Sequence, residues 1–402
     1  MTYQLFEPCS IGPVRLRNRS IRAAAFEGMC PGHLPSPELL AYHREVAEGG
    51  VGMTTVAYAA VDQSGLSFPH QLWLRPEAVP GLRALTDVVH AAGARASVQI
   101  GHCGNMAKAA VAGGRALAPS ARFNLYGPVW PRAMDQHDID RVVASFGRAV
   151  ALAREAGFDA VEVHAGHGYL ISQFLSPATN RRRDGYGGPL ARRMRFMREV
   201  MARVVEAARG EVAVLVKVNM RDGFRGGVEL DEAIEVARTL EQDGADALVL
   251  SGGFVSRAPM YIMRGAMPTR VMGRLMTDWT LRLGLALFGQ TLIAPFPYSD
   301  NYFLQDALAI RQAVRLPLVY IGGAASRAAI DEALGHGFVA VAMARALIRD
   351  PAFIRNLAAA DGSAATDGAA ALCDHCNYCA ARIYTTHMAC HHREPPPTRL
   401  RA

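Results

Sequence analysis

EAGFDAVEVH (Glu155–His164) joins the end of one element to the whole of the next: a charged helix end, a glycine, then a short apolar run that closes on a histidine. Glycine takes the left-handed turn that ends a helix, and a Val-rich run without polar alternation suits a strand covered on both faces. The same order recurs in AEGGVGMTTVAY (Ala47–Tyr58), HAAGARASVQI (His90–Ile100), EQDGADALVL (Glu241–Leu250) and LGHGFVAVAMA (Leu334–Ala344). Helix, glycine and buried strand in repetition describe a parallel sheet wrapped in helices.

With the remaining apolar runs, strands are predicted near Ser20 to Ala25, Met53 to Tyr58, Ala96 to Ile100, Ala160 to His164, Val212 to Val218, Ala247 to Ser251, Leu318 to Gly322 and Val339 to Met343. Eight strands alternating with helices predict an α/β fold of the closed (β/α)8 barrel type. An open doubly wound sheet would carry a glycine fingerprint in its first turn, and none is found. The barrel is expected over residues 1–358, with an N-terminal cap. A linker and a short Cys-rich extension follow over 359–402. Two long connections, Gly101 to Asp138 and Gly252 to Arg315, follow strands and so decorate the C-terminal face, where barrels build their sites. Arg257, Tyr261 and Arg264 stand near the start of the second, and a solvated loop is the simpler expectation for them.

Composition bounds the function. The chain has 402 residues, 50% hydrophobic and 20% charged, which is enough to bury a large core. Its formal charge of +7 comes largely from arginines scattered through helical segments, and no basic stripe with interleaved aromatics points to nucleic acid. A small-molecule substrate, with some preference for anions, is the expected partner. The N-terminus lacks the apolar core of a signal peptide, and no run is long enough to cross a bilayer. The longest apolar approach, Leu283 to Tyr298, is read as a helix packed on the body of the protein. Seven cysteines, mostly far apart, fit a reducing compartment, so a cytoplasmic protein is expected.

Polar residues gather where the strands end. Gln99 and His102 end the third strand, His164, His167 and Tyr169 follow the fourth, Lys217 and Asn219 end the fifth, Gly322 and Gly323 end the seventh, and Arg345 follows the eighth. Paired glycines let backbone amides approach an anion, and an arginine beside them adds a charged fork, which outlines a phosphate site. His164 and His167 are three apart and could also chelate a metal, but a further ligand nearby is wanting.

These residues carry a resemblance. The run HAGHGYLISQFLSPATNRRRDGYGG (His164–Gly188), with LFEPCSIGPVRLRNRSIRAA before it and MARALIRDP after it, resembles the Old Yellow Enzyme family of FMN-dependent ene-reductases, in its NADH:flavin oxidoreductase and 2,4-dienoyl-CoA reductase branch. The resemblance spans about Leu5 to Phe353. It implies FMN as cofactor, NADH or NADPH as reductant, and an activated alkene or related acceptor. By the same resemblance Ala24 lies against the isoalloxazine, Gln99 bonds the flavin pyrimidine edge and Lys217 stands near flavin N1. Gly322, Gly323, Ala344 and Arg345 match the phosphate segment. His164 and His167 match the pair that binds a substrate oxygen, and Tyr169 the acid that protonates carbon. Lys217 departs from the arginine of many relatives, and Phe26 from a residue that contacts the flavin.

CDHCNYC followed by Cys390 places four thiols, Cys373, Cys376, Cys379 and Cys390, in a metal-binding pattern. One branch of the family carries a four-iron, four-sulfur (4Fe-4S) cluster after its barrel, although here the second gap is one residue shorter. The additional FAD and nucleotide domains of those relatives are not recognised after the cysteines. Iron-sulfur, zinc, a mixed site with His375, His387, His391 and His392, and unliganded thiols stay open. Two rival functions follow: a metal-dependent barrel lyase or hydrolase, and a flavin-bearing electron-transfer subunit of a larger complex. A homo-oligomer or a redox partner subunit is compatible with either.

Overall fold

The computed structural model describes residues 4–124, 129–276, 279–360, 372–383 and 387–394. Eight parallel strands close into a barrel: β1 Ser20–Arg22, β2 Met53–Ala60, β3 Arg95–Gly101, β4 Ala160–Ala165, β5 Ala213–Asn219, β6 Ala247–Ser251, β7 Leu318–Ile321 and β8 Ala340–Met343. Each predicted strand is present. The first is shorter than expected because the chain leaves the sheet after Arg22, whose buried guanidinium turns to Glu27 at 2.6 Å. Ala24, Ala25 and Phe26 thereby face the central cavity instead of a neighbouring strand.

The repeated Gly-x-Asp before a strand has a structural cause. Asp159 accepts the amide of Ala96 at 2.8 Å, and Asp246 accepts the amide of Val214 at 2.7 Å, so each aspartate ties the foot of its strand to the one before. Helices cover the outside. That from Gln136 to Glu155 begins with a capping box, Asp135 and Asp138 each bonding the other's backbone amide. An antiparallel hairpin, Cys9–Ile11 with Val14–Leu16, sits at the foot of the barrel, where Ile11, Val14 and Leu16 pack against Ile21, Ala213 and Ala247. This is the expected N-terminal cap.

Both long connections lie at the C-terminal face. The first carries a small parallel pair, Leu117–Ala118 with Arg132–Ala133. The second carries the helices Pro259–Met263, Thr269–Leu275 and Trp279–Leu292. The last of these packs beside Thr269–Leu275 and leaves Leu283, Leu287 and Phe288 exposed. No helix among the described residues is long and apolar enough to cross a membrane. The linker expected at Asp361 to Leu372 lies outside the described residues except for Leu372. The segments 372–383 and 387–394 return to the barrel, Met388 donating its amide to the Glu27 carbonyl at 2.7 Å.

Candidate active site

A cavity of about 900 Å³ opens at the C-terminal ends of the strands. Every flavin and catalytic residue expected from the sequence lines it: Gln99 and Lys217 on the floor strands, His164 on β4 with His167 and Tyr169 beyond it, the Gly322–Gly323 turn, and Ala24, Ala344 and Arg345 on the remaining wall.

Register explains the floor. Gln99 pairs with Glu162 across β3 and β4, and His164 with Lys217 across β4 and β5. One carboxylate oxygen of Glu162 accepts from Gln99 Nε2 at 2.6 Å and from Lys217 Nζ at 2.8 Å, with all three side chains buried. Glu162 was not picked out from the sequence. The signal was there: it stands two before His164, and side chains two apart on a strand share a face.

The histidines are held differently. His164 is buried, and the Gly166 amide approaches its Nδ1 at 3.4 Å. His167 adopts the left-handed conformation, φ +57°, fixed by its amide on Asn219 Oδ1 at 2.9 Å and by the Val255 amide on its carbonyl at 3.0 Å. Its Nε2 meets Ser251 Oγ at 2.7 Å. Burial, then the charge of Lys217, pushes the His167 imidazole down to about 3. Burial, His167 and Lys217 push His164 well down as well. Both rings are therefore neutral near pH 7. Tyr169 stacks on His164 with ring centroids 4.3 Å apart and meets Tyr58 edge-on at 4.9 Å. A metal on the two histidines is not supported: among the described residues only Asp374, His391 and His392 bring three ligand atoms within 4.8 Å of one another.

The opposite wall is cut for a close approach. Gly322 and Gly323 have φ of +134° and +90°, and a Cβ would stand 2.7 Å from the Phe303 ring at the first and 2.8 Å from the Asn301 amide nitrogen at the second. Arg345 is anchored by donating to Asn377 Oδ1 at 2.8 Å, a partner from the Cys-rich segment. An amide and an ammonium at one end, a glycine turn and a guanidinium at the other, and alanines between them suit a planar ring system with an anionic tail, and FMN fits that donor set.

The solvated-loop expectation fails for Arg264. It is buried among Tyr261, Phe296, Tyr302 and Phe303, with its guanidinium 4.1 Å from the Phe296 ring centre. Three of those four rings lie more than thirty residues further along, which hid the cage from local reading. Arg257 is exposed but lines the cavity.

Residues 4–282 match the sequence pattern of the NADH:flavin oxidoreductase / NADH oxidase family. The chain belongs to that family. It is therefore an Old Yellow Enzyme-type oxidoreductase that uses FMN and NAD(P)H. It is 42% identical over 385 residues to a 4,4'-dithiodibutanoate disulfide reductase of Rhodococcus erythropolis, covering 96% of this chain and 94% of that one. The fold is shared with a 2-naphthoyl-CoA reductase, TM-score 0.81 at 22% identity, covering 96% of this chain and 56% of that one. It is shared too with an Old Yellow Enzyme homologue from Zymomonas mobilis, TM-score 0.70 at 23% identity, covering 89% and 93%. The chain thus spans little more than half of the naphthoyl-CoA reductase chain.

The four expected metal ligands of this family member come together. Cys373, Cys376, Cys379 and Cys390 line one small cavity with Arg345, and none forms a disulfide. Burial raises Cys376 to about 11 and Cys379 to about 12. A single zinc, with Zn–S near ~2.3 Å, needs its sulfurs within about 4 Å of one another. No three of these thiols come within 4.8 Å of one another. Cys379 and Arg345 also line the large cavity, so they stand in the wall between the two.

Proposed function

We propose that the protein passes hydride from NAD(P)H by way of FMN to an alkene conjugated with a carbonyl. The observation that carries this reading is the convergence of two neutral imidazoles and a tyrosine in the cavity whose floor holds Gln99 and Lys217. FMN, when bound, supplies the hydride. His164 and His167 hold the carbonyl oxygen. A Gly166 amide directed at His164 Nδ1 leaves the proton on Nε2, and the His167 tautomer that accepts from the Ser251 hydroxyl at Nε2 carries its proton on Nδ1. Each ring then offers one N–H to the negative charge that grows on that oxygen as hydride reaches the β-carbon. Tyr169 donates its phenolic proton to the α-carbon. Gln99 and Lys217, positioned by Glu162, hold the pyrimidine edge of the flavin, Ala24 packs against its ring system, and Gly322, Gly323, Ala344 and Arg345 hold its phosphate. Phe26, stacked on Phe68 at 4.9 Å, offers the flavin an apolar contact.

A second acceptor is favoured by the near full-length likeness to a disulfide reductase. Reduction of an organic disulfide breaks S–S and releases two thiols for one hydride and one proton, and Tyr169 can deliver that proton to a leaving thiolate. For Cys373, Cys376, Cys379 and Cys390 we propose a 4Fe-4S cluster, whose irons stand apart and so spread their thiolates wider than one zinc does. It would supply one-electron chemistry behind the cavity wall. An anaerobic visible spectrum with flavin and iron quantitation tests both cofactors. One FMN and four irons per chain are expected. Colourless protein that cannot be reconstituted with FMN overturns the functional reading, and zinc in place of iron overturns the cluster.

A further inference from the structure

We propose that Arg122, Arg181 and Arg257 form an anion-binding rim that takes a carboxylate or phosphate on the tail of the molecule reacting at His164 and His167. The inference rests on the reading of the large cavity as the place of reaction.

Three separate connections supply the arginines. Arg122 comes from the insertion after β3, Arg181 from the loop after β4 and Arg257 from the insertion after β6. The segments of the first two are tied to each other, and that of the third to the site. The Arg181 amide donates to Ser120 Oγ at 2.9 Å, and neighbouring Arg182 donates to the Pro119 and Met134 carbonyls at 3.0 and 2.7 Å. The loop before Arg257 is fastened to His167 by the Val255 amide. Arg257 itself lies over the Phe224 ring at 5.0 Å, and both line the cavity, as does Arg122.

What these three lack is a countercharge. Arg182, next in sequence, is taken by Asp184 at 2.6 Å, but among the described residues none of the three forms an ion pair. Partial desolvation against the cavity wall lowers the Arg257 pKa, and Arg122 and Arg181 lower it further by repulsion. The carboxylate that opposes them, Asp222, is already engaged by Asn219 and by the Val228 amide. Two of these guanidiniums, Arg122 and Arg257, line a largely apolar cavity, and Arg181 stands near enough to repel Arg257; an oxyanion relieves that repulsion, and the planar fork suits carboxylate and phosphate alike.

Two molecules could bring that anion: an acceptor with a carboxylate tail, or the reduced dinucleotide with its phosphates. Stopped-flow measurement of the two half-reactions separates them, using the FMN-loaded protein, NADPH, and a matched enone acid and methyl ester. In Arg257→Gln and in the triple Arg122→Gln/Arg181→Gln/Arg257→Gln variant, a fall of about tenfold or more in the acid-to-ester rate ratio assigns the rim to the acceptor. A comparable rise in the apparent Kd for NADPH, with the ratio unchanged, assigns it to the dinucleotide. Arg257→Lys should recover part of either effect, and added salt should weaken it in the natural protein. Neither change in flavin-loaded variants overturns the proposal. Calorimetric titration of flavin-free protein with pyrophosphate reports on the rim even if the functional reading fails. Loss of binding heat in the triple variant upholds the rim, and equal heats overturn it.

Discussion

Lys217 Nζ and Glu162 Oε1 stand 2.8 Å apart on neighbouring strands at the floor of the cavity, both side chains buried. Removing one member of a buried pair leaves the other charged without a partner, at a cost of about 3 kcal/mol. Glu162→Gln is expected to lose about that much in urea unfolding. It should also raise the midpoint potential of bound FMN, because an uncompensated Lys217 favours the anionic reduced ring. A lower potential would place Lys217 away from the flavin.

Tyr169 is needed only where a proton goes to the acceptor. Tyr169→Phe should slow the oxidative half-reaction with an enone by roughly 10²-fold or more, the scale of general acid catalysis. Reduction of FMN by NAD(P)H should change little. Equal losses in the two half-reactions, read by stopped flow, would remove Tyr169 from that role.

The buried histidines make a pH prediction with a definite sign. His167 titrates at about 3 in the folded protein and near the ordinary 6.5 when unfolded, so below pH 6.5 the unfolded chain binds the extra proton. His164 shifts in the same direction. Their contribution is full above pH 6.5 and is lost as pH falls, by at most about 1.4 kcal/mol per unit for each histidine. Unfolding free energies from pH 7 to 4 should show a shallower slope in His167→Asn. The same depression keeps both rings neutral in the active range, so phenol binding should show no histidine titration between pH 5 and 8.

Gly323→Ala combines a positive φ of +90° with a Cβ placed 2.8 Å from the Ser299 carbonyl oxygen. The strain is about 1–2 kcal/mol before any shift of the backbone. FMN affinity should fall at least about tenfold, measured as the recovery of flavin fluorescence on dilution. Unchanged affinity would argue that the turn does not touch the phosphate.

The barrel could be read because its signals are local. Glycine turns and apolar runs mark all eight strands, and the strand ends mark Gln99, His164, Lys217 and Arg345 without any knowledge of their neighbours. What escaped depends on partners far apart in the chain. Ser251 matters because β6 brings it to His167, and Asn377 because the Cys-rich segment returns to Arg345. Arg264 looked like a loop residue because Phe296, Tyr302 and Phe303 complete its surroundings. The short β1 has the same origin: the pull of Glu27 on Arg22 is a tertiary contact that propensity does not contain.

The hairpin at the foot of the barrel closes that end with Ile11, Val14 and Leu16, while the cavity opens at the other. A vessel stoppered at its base is filled and emptied through one mouth. Under the proposed function, electron donor and electron acceptor would visit in alternation, each in excess obstructing its counterpart. On that reading a shared doorway keeps the two half-reactions apart in time, and the three apolar side chains at the far end take no part in the chemistry.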